Sequence, residues 1–239
     1  MPKAIIYDKD GTLIEFDPFW VPVTKAAIRE LFAGEITDPE ALDRAAADAE
    51  ITVGIHGEIA DPQGIISKGT YADVAEVFNE LFARRGISAS LTRRDVEAAI
   101  EHNLDSGRIE AACENLREVL ENARSRAALF IVTTDNREIT AKCLNSLGIA
   151  DLFDGVYCDD GNTPAKPDPS AANEIMKKTG AKLSEVYMIG DTMTDARFAA
   201  NAKIGFVSVG SNERARGAAE YAATDVKDAT AHVLGITRK

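Results

Sequence analysis

The sequence predicts an α/β fold, a doubly wound parallel sheet with a second, helical unit inserted into it. Three observations carry this expectation. Short, near-continuous apolar runs alternate with longer stretches of helical period. Five such runs stand in the chain, each short enough for a strand and separated by helix-like stretches. Between Phe16 and about Arg108 the apolar runs stop while helical periods continue.

The expected strands are KAIIYD (3–8), ALFIVT (128–133), GVYCD (155–159), VYMIG (186–190) and IGFVSV (204–209). Helical stretches at 114–124, 137–147, 170–180 and 194–202 lie between or after them. This alternation puts residues 1–15 and 108–239 in one core and residues 16–107 in a helical insert. Inside the insert, Val74, Val77, Phe78, Leu81 and Phe82 recur at one helical face, and Gly86 supplies a stop. Asp38 before Pro39 reads as an N-cap with proline at the first helical position. Thr92 with Asp95 reads as a near capping box.

The composition is that of a globular chain able to bury a core: 239 residues, 45 % hydrophobic and 28 % charged. The net charge of −12 argues against a bulk electrostatic hold on nucleic acid or an anionic membrane. It leaves room for a small anionic substrate, which needs only a few local cations. Cys113, Cys143 and Cys158 are odd in number and form no CxxC pair, as expected of free thiols in a reducing compartment. The charged start of the chain has no signal-peptide apolar region, and the longest apolar run, 127–132, is far short of the roughly 20 residues a membrane helix needs. A soluble, cytoplasmic protein is expected.

Four polar patches follow strands or open helices. In YDKDGT, Asp8 ends the first strand and Asp10 lies two residues on, so a nucleophile or metal ligand stands beside a possible acid/base, with Gly11 to turn the chain. A solvated turn competes with this reading. A calcium loop does not, because its glycine and terminal glutamate positions hold Leu13 and Phe19. In FIVTTDN, Thr133 and Thr134 offer hydroxyl and backbone N–H groups for a phosphate oxygen, although a strand-end threonine is more often a local cap. In AKPDPS, Lys166 before Pro167 offers a point charge, ahead of a helix that Asp168 or Ser170 can cap. In MIGDTMTD, Asp191 and Asp195 can complete a Mg²⁺ site, or Asp191 or Thr192 can cap the next helix. Each patch alone has a bland reading; together they can converge on the carboxyl side of one sheet.

Taken in order, DKDGT, Thr133 in FIVTT, Lys166 in AKPDP and GDTMTD resemble the four motifs of the haloacid dehalogenase (HAD) superfamily of phosphohydrolases. The insert after the first motif resembles the helical cap of the subgroup that includes phosphoglycolate phosphatase and β-phosphoglucomutase. The resemblance implies a Rossmann-like core with a cap domain. It implies a Mg²⁺-dependent phosphatase acting on a small phosphorylated metabolite, with 2-phosphoglycolate the favoured substrate. Asp8 is then the nucleophile that carries an aspartyl-phosphate, and Asp10 the acid/base. Thr133 and Lys166 hold the phosphoryl group, with help from backbone near Gly11 and Thr134. The metal site takes Asp8, the Asp10 backbone carbonyl and Asp191, with Asp195 as support through water or through Lys166. Lys9 departs from the apolar residue often seen between the two aspartates.

Two other readings use the same residues. One is a sugar-phosphate mutase of the β-phosphoglucomutase type, and the other a non-catalytic binding protein on this fold. Asp10 argues against a C–halogen substrate, since the family's dehalogenases lack an aspartate there. The stretch GIHGEIADPQGIISKGT (54–70) is expected as a cap loop, with His56, Ser67, Lys68 and Thr70 as candidate substrate contacts or simply solvent-facing residues. His102 and His232 sit in helical stretches without partner ligands, so no zinc site is expected.

Overall fold

A computed structural model of the chain describes residues 1–236. Strand β1 (Ala4–Tyr7) opens it, every side chain buried. The backbone packs into two units, Met1–Glu15 with the chain from Ile109 onward, and Phe16–Arg108.

The second unit is built from helices. Its first helix, α1 (Phe16–Ala33), tolerates Pro18 in its first turn and carries Pro22 inside. Helix α2 (Pro39–Val53) starts from Asp38, whose carboxylate accepts the Ala41 N–H at 2.8 Å. Strands β2 (Ile55–His56) and β3 (Ile59–Ala60) then form a two-residue antiparallel hairpin. The sequence shows no strand in this unit; these pairs are too short to display a period-two pattern. The short helix α3 (Ile65–Lys68) precedes α4 (Tyr71–Arg84) and α5 (Arg93–His102). Capping boxes start the last two, Thr70 with Asp73 and Thr92 with Asp95. The apolar face of α4 buries Phe78, Leu81 and Phe82, with Phe78 and Phe82 packed on Phe32 at ring separations of 5.3 and 4.5 Å.

The first unit resumes with α6 (Leu116–Arg124), β4 (Ala128–Val132), α7 (Arg137–Ser146) and β5 (Gly155–Tyr157). It continues through α8 (Ser170–Thr179), β6 (Val186–Gly190), α9 (Met193–Ala202) and β7 (Gly205–Ser208). Helix α10 (Glu213–Ala218), strand β8 (Tyr221–Ala222) and helix α11 (Val226–Val233) complete it. The five expected strands are present, β6 with the bounds expected and the other four a residue or two shorter at one or both ends. Strand β8 was not expected, being only two residues long.

These strands make one parallel sheet in the order β5-β4-β1-β6-β7-β8. The first three strands of the core run one way from β1 and the next three run the other way. That is the doubly wound order, whose reversal point lies between β1 and β6. Tyr7 pairs with Ile131 on β4 and Ile189 on β6. Asp8, Val132 and Gly190 therefore stand level at the carboxyl ends of three adjacent strands. No helix among the described residues is long and apolar enough to cross a membrane.

Candidate active site

The reversal point brings together the polar patches that the sequence separates by up to 187 positions (195 − 8). Asp8 leaves β1 with its N–H donated to the Ile189 carbonyl at 2.9 Å, so β6 fixes its backbone. Its side chain is buried, and its Oδ1 accepts from Lys166 Nζ at 2.5 Å. Lys166 is likewise buried and donates also to Asp195 Oδ1 at 2.6 Å. One ammonium thus bridges a carboxylate at the end of β1 and one in the first turn of α9. Asp195 Oδ2 accepts from the Thr192 N–H at 3.0 Å and the Thr192 hydroxyl at 2.7 Å, the capping box that starts α9. Thr192, one of the two residues expected to cap this helix, is its N-cap, and the carboxylate that closes the box on it is that of Asp195.

The carboxylates of Asp8, Asp191 and Asp195 each place an oxygen within 4.8 Å of the others. Such crowding requires two glycines. A Cβ on Gly11, whose φ is +69°, would lie 2.4 Å from Asp191 Oδ2. A Cβ on Gly190 would lie 2.4 Å from the carboxyl carbon of Asp195. Gly11 donates its N–H to the Ile14 carbonyl at 2.8 Å, so that N–H serves the turn, and the residue's contribution at the site is the space it leaves. Thr12 Oγ1 lies 3.5 Å from Asp191 Oδ1.

The charge balance is strained. Burial pushes the Asp8 carboxyl up to about 7; Lys166 opposes this, while Asp195 and Asp10 add to it. Burial, then Asp8 and Asp195, hold Asp191 well above the usual carboxylate range. Burial pulls the Lys166 ammonium down, but Asp195 and Asp8 together outweigh it and the net shift is upward. Lys166 stays charged while the carboxylates compete for positive charge. The hard oxygen donors, the cleared space and the surplus negative charge fit a divalent cation such as Mg²⁺.

Thr133 is buried at the end of β4. Its N–H donates to the Tyr157 carbonyl at 3.0 Å and its hydroxyl accepts the Asp135 N–H at 3.2 Å. Thr134 is exposed beside it. Asp168 accepts the Ser170 N–H at 2.9 Å at the head of α8, and the Lys166–Pro167 peptide is cis.

Sequence reasoning gave Lys9 no role and passed over Asp135. The structure buries Lys9 completely and places its Nζ 2.6 Å from Asp10 Oδ1 and 2.7 Å from Asp135 Oδ2. A carboxylate two residues past a strand-end threonine was the available signal for Asp135.

The four candidates in the insert lie on β2, on α3 and at the start of α4. His56 is exposed on β2. The Ser67 hydroxyl donates to the Asp61 carbonyl at 2.8 Å, and Lys68 donates to Gln63 Oε1 at 3.0 Å. Thr70 caps α4, its hydroxyl 2.8 Å from Asp73 Oδ2. Each has a local structural partner or faces solvent. His102 Nδ1 lies 2.9 Å from Glu30 Oε2, and the His232 ring stacks on Tyr221 with centroids 3.9 Å apart.

A doubly wound core with an acid-rich site at its reversal point, interrupted by a helical unit after β1, defines a class of phosphate-handling hydrolases. The chain belongs to the haloacid dehalogenase-like hydrolase family, whose model matches residues 2–203, and it stands with the phosphatases of that family. It is similar to the phosphoglycolate phosphatase of Vibrio parahaemolyticus, 25% identical over 201 residues covering 84% of this chain and 80% of that protein. Its fold is similar to that of a predicted phosphoglycolate phosphatase from Haemophilus somnus, with a TM-score of 0.67, 19% identity and coverage of 99% and 98% of the two chains. It is likewise similar to the Bacillus subtilis HAD hydrolase YfnB bound to magnesium, with a TM-score of 0.66, 16% identity and coverage of 98% and 99%.

Proposed function

We propose that this chain is a Mg²⁺-dependent phosphatase of the reducing cytoplasm that hydrolyses a small phosphomonoester, 2-phosphoglycolate first among them, through a phosphoryl group carried on Asp8. The observation that carries the reading is the buried Lys166 bridge between Asp8 and Asp195, set beside Asp191 at the reversal point of the sheet. The likeness to the Vibrio phosphoglycolate phosphatase supports the choice of substrate. Three free cysteines suit the compartment.

An Asp8 carboxylate oxygen attacks phosphorus and the leaving alkoxide departs from the opposite side. Two anions must approach for this to happen, so charge compensation decides the barrier. Lys166 supplies one fixed cation, kept in place by Asp195. Thr133 and Lys166 hold the phosphoryl oxygens as Asp8 closes on them. Asp8, Asp191 and the Asp10 carbonyl would hold a Mg²⁺ ion, whose chemistry would be to supply the remaining positive charge. Asp10 gives its proton to the alkoxide, then takes one from the water that cleaves the Asp8–phosphoryl bond. Splitting hydrolysis into two displacements lets one carboxylate serve as acid and as base.

The test is phosphate release, with and without Mg²⁺, from 2-phosphoglycolate, sugar phosphates, nucleotides and an aryl phosphate, with Asp8→Asn run in parallel. Preference for 2-phosphoglycolate that the variant loses is the expected result. Broad activity lost in the variant would keep the chemistry and reject the substrate. Absence of release from every member would reject the phosphatase reading.

A further inference from the structure

Two buried lysines at the site each bridge a pair of carboxylates. Lys166 joins Asp8 to Asp195, across the loops after β1 and β6. Lys9 joins Asp10 to Asp135, across the loops after β1 and β4, at 2.6 and 2.7 Å. Each bridge takes one of the two aspartates of the first loop and ties it to a carboxylate from elsewhere. The Lys9 side chain is wholly excluded from solvent, and its third neighbour is the Cys143 sulfur on α7 at 3.9 Å. Burying an ammonium costs several kcal/mol unless it is paired with good geometry. Here two carboxylates meet it at charge-assisted hydrogen-bond distance.

A carboxylate that transfers protons must stay within hydrogen-bond reach of the reacting oxygen, and free rotation about its side chain dilutes that geometry. With Oδ1 held by a buried ammonium that is itself anchored to Asp135, Asp10 loses that freedom. We propose that Lys9 is a positioning residue that fixes the Asp10 carboxylate for its proton transfers by bridging it to Asp135. The inference rests on the acid/base role proposed for Asp10. Lys9 keeps its own protons throughout: Asp10 alone gives a proton to the leaving oxygen as the P–O bond breaks and recovers one from water.

A positioning role predicts a defect that depends on the leaving group, which a loss of structure does not. An alkoxide needs the proton from Asp10, whereas p-nitrophenolate departs without it. The experiment is single-turnover release of the leaving alcohol from the best alkyl phosphomonoester of the panel and from p-nitrophenyl phosphate. It compares wild type, Lys9→Met and the charge-balanced double variant Lys9→Met/Asp135→Asn. We expect both variants to slow alkyl release by roughly 10- to 100-fold, less than loss of the acid itself because Asp10 is still present, and to leave p-nitrophenolate release within about 3-fold. Equal losses on the two substrates, or an unchanged alkyl rate, would overturn the proposal. So would failure of both variants to show a cooperative thermal melt, since Lys9 would then be structural. A wild type silent on both substrates would remove the phosphatase reading itself, and the proposal with it.

Discussion

Replacing Lys166 by Met keeps the length of the side chain and removes its charge. Lys166 and Asp8 are each only 7% exposed, so water does not screen what is left behind. The variant leaves Asp8, Asp191 and Asp195 facing one another with no ammonium among them. Removing one partner of a buried ion pair costs about 3–5 kcal/mol, because the other charge stays desolvated. For a chain of this size each kcal/mol moves Tm by about 2–4 °C, so a loss of about 6–20 °C is expected for the metal-free protein near pH 8. The loss must shrink on acidification. Asp8 already has its carboxyl raised to about 7 by burial, against Lys166. A raised carboxyl contributes stability that is present below its unfolded value of about 3.9 and is lost as pH rises through the folded value. Without Lys166 the folded value climbs further, so near pH 5 the carboxyl is protonated and the missing cation matters less. Thermal melts of wild type and variant near pH 5 and pH 8 measure this, with circular dichroism as the readout. A variant as stable as wild type near pH 8, or one losing as much near pH 5, would refute the electrostatic account of the Lys166 bridge.

Three further outcomes are expected. Asp10→Asn should lower turnover on an alkyl phosphomonoester by about 10²- to 10⁴-fold in steady-state kinetics while the melt stays cooperative. Gly11→Ala should raise the Mg²⁺ concentration for half-maximal activity about 10- to 100-fold, since its Cβ would displace Asp191 from a contact of 2.4 Å. EDTA should abolish phosphate release and Mg²⁺ restore it, and the rise in Tm on adding Mg²⁺ should be larger near pH 8 than near pH 5. Protons compete with the cation for the Asp8 carboxyl, which burial pushes up to about 7.

The sheet was legible because its strands are buried on both faces and so read as unbroken apolar runs, as AIIY and VYMIG do. The site positions were legible for the same reason: Asp8, Thr133 and Asp191 are the first polar residues after such runs. Strands of two residues, β2, β3 and β8, carry no period and stayed hidden. Helix α1 was obscured by Pro18 and Pro22 in FDPFWVP. Lys9 was opaque for a different reason. A lysine in a polar stretch reads as solvent-facing, and only the fold shows that Asp135, 126 positions away (135 − 9), lies 2.7 Å from its ammonium. Thr70 read either as a substrate contact or as a solvent-facing loop residue; its hydroxyl is bonded to Asp73 in a capping box, a partner three residues on that the loop reading did not use.

The central claim is that Asp8 carries the phosphoryl group. Acid-quenched single-turnover reactions with the best substrate of the panel, digested and read by mass spectrometry, test it most directly. The account predicts that the peptide containing Asp8 gains the mass of one phosphoryl group, that the gain decays as inorganic phosphate appears, and that Asp8→Asn shows neither. Phosphate released at the full rate with no adduct on that peptide, or an undiminished rate in Asp8→Asn, would contradict it.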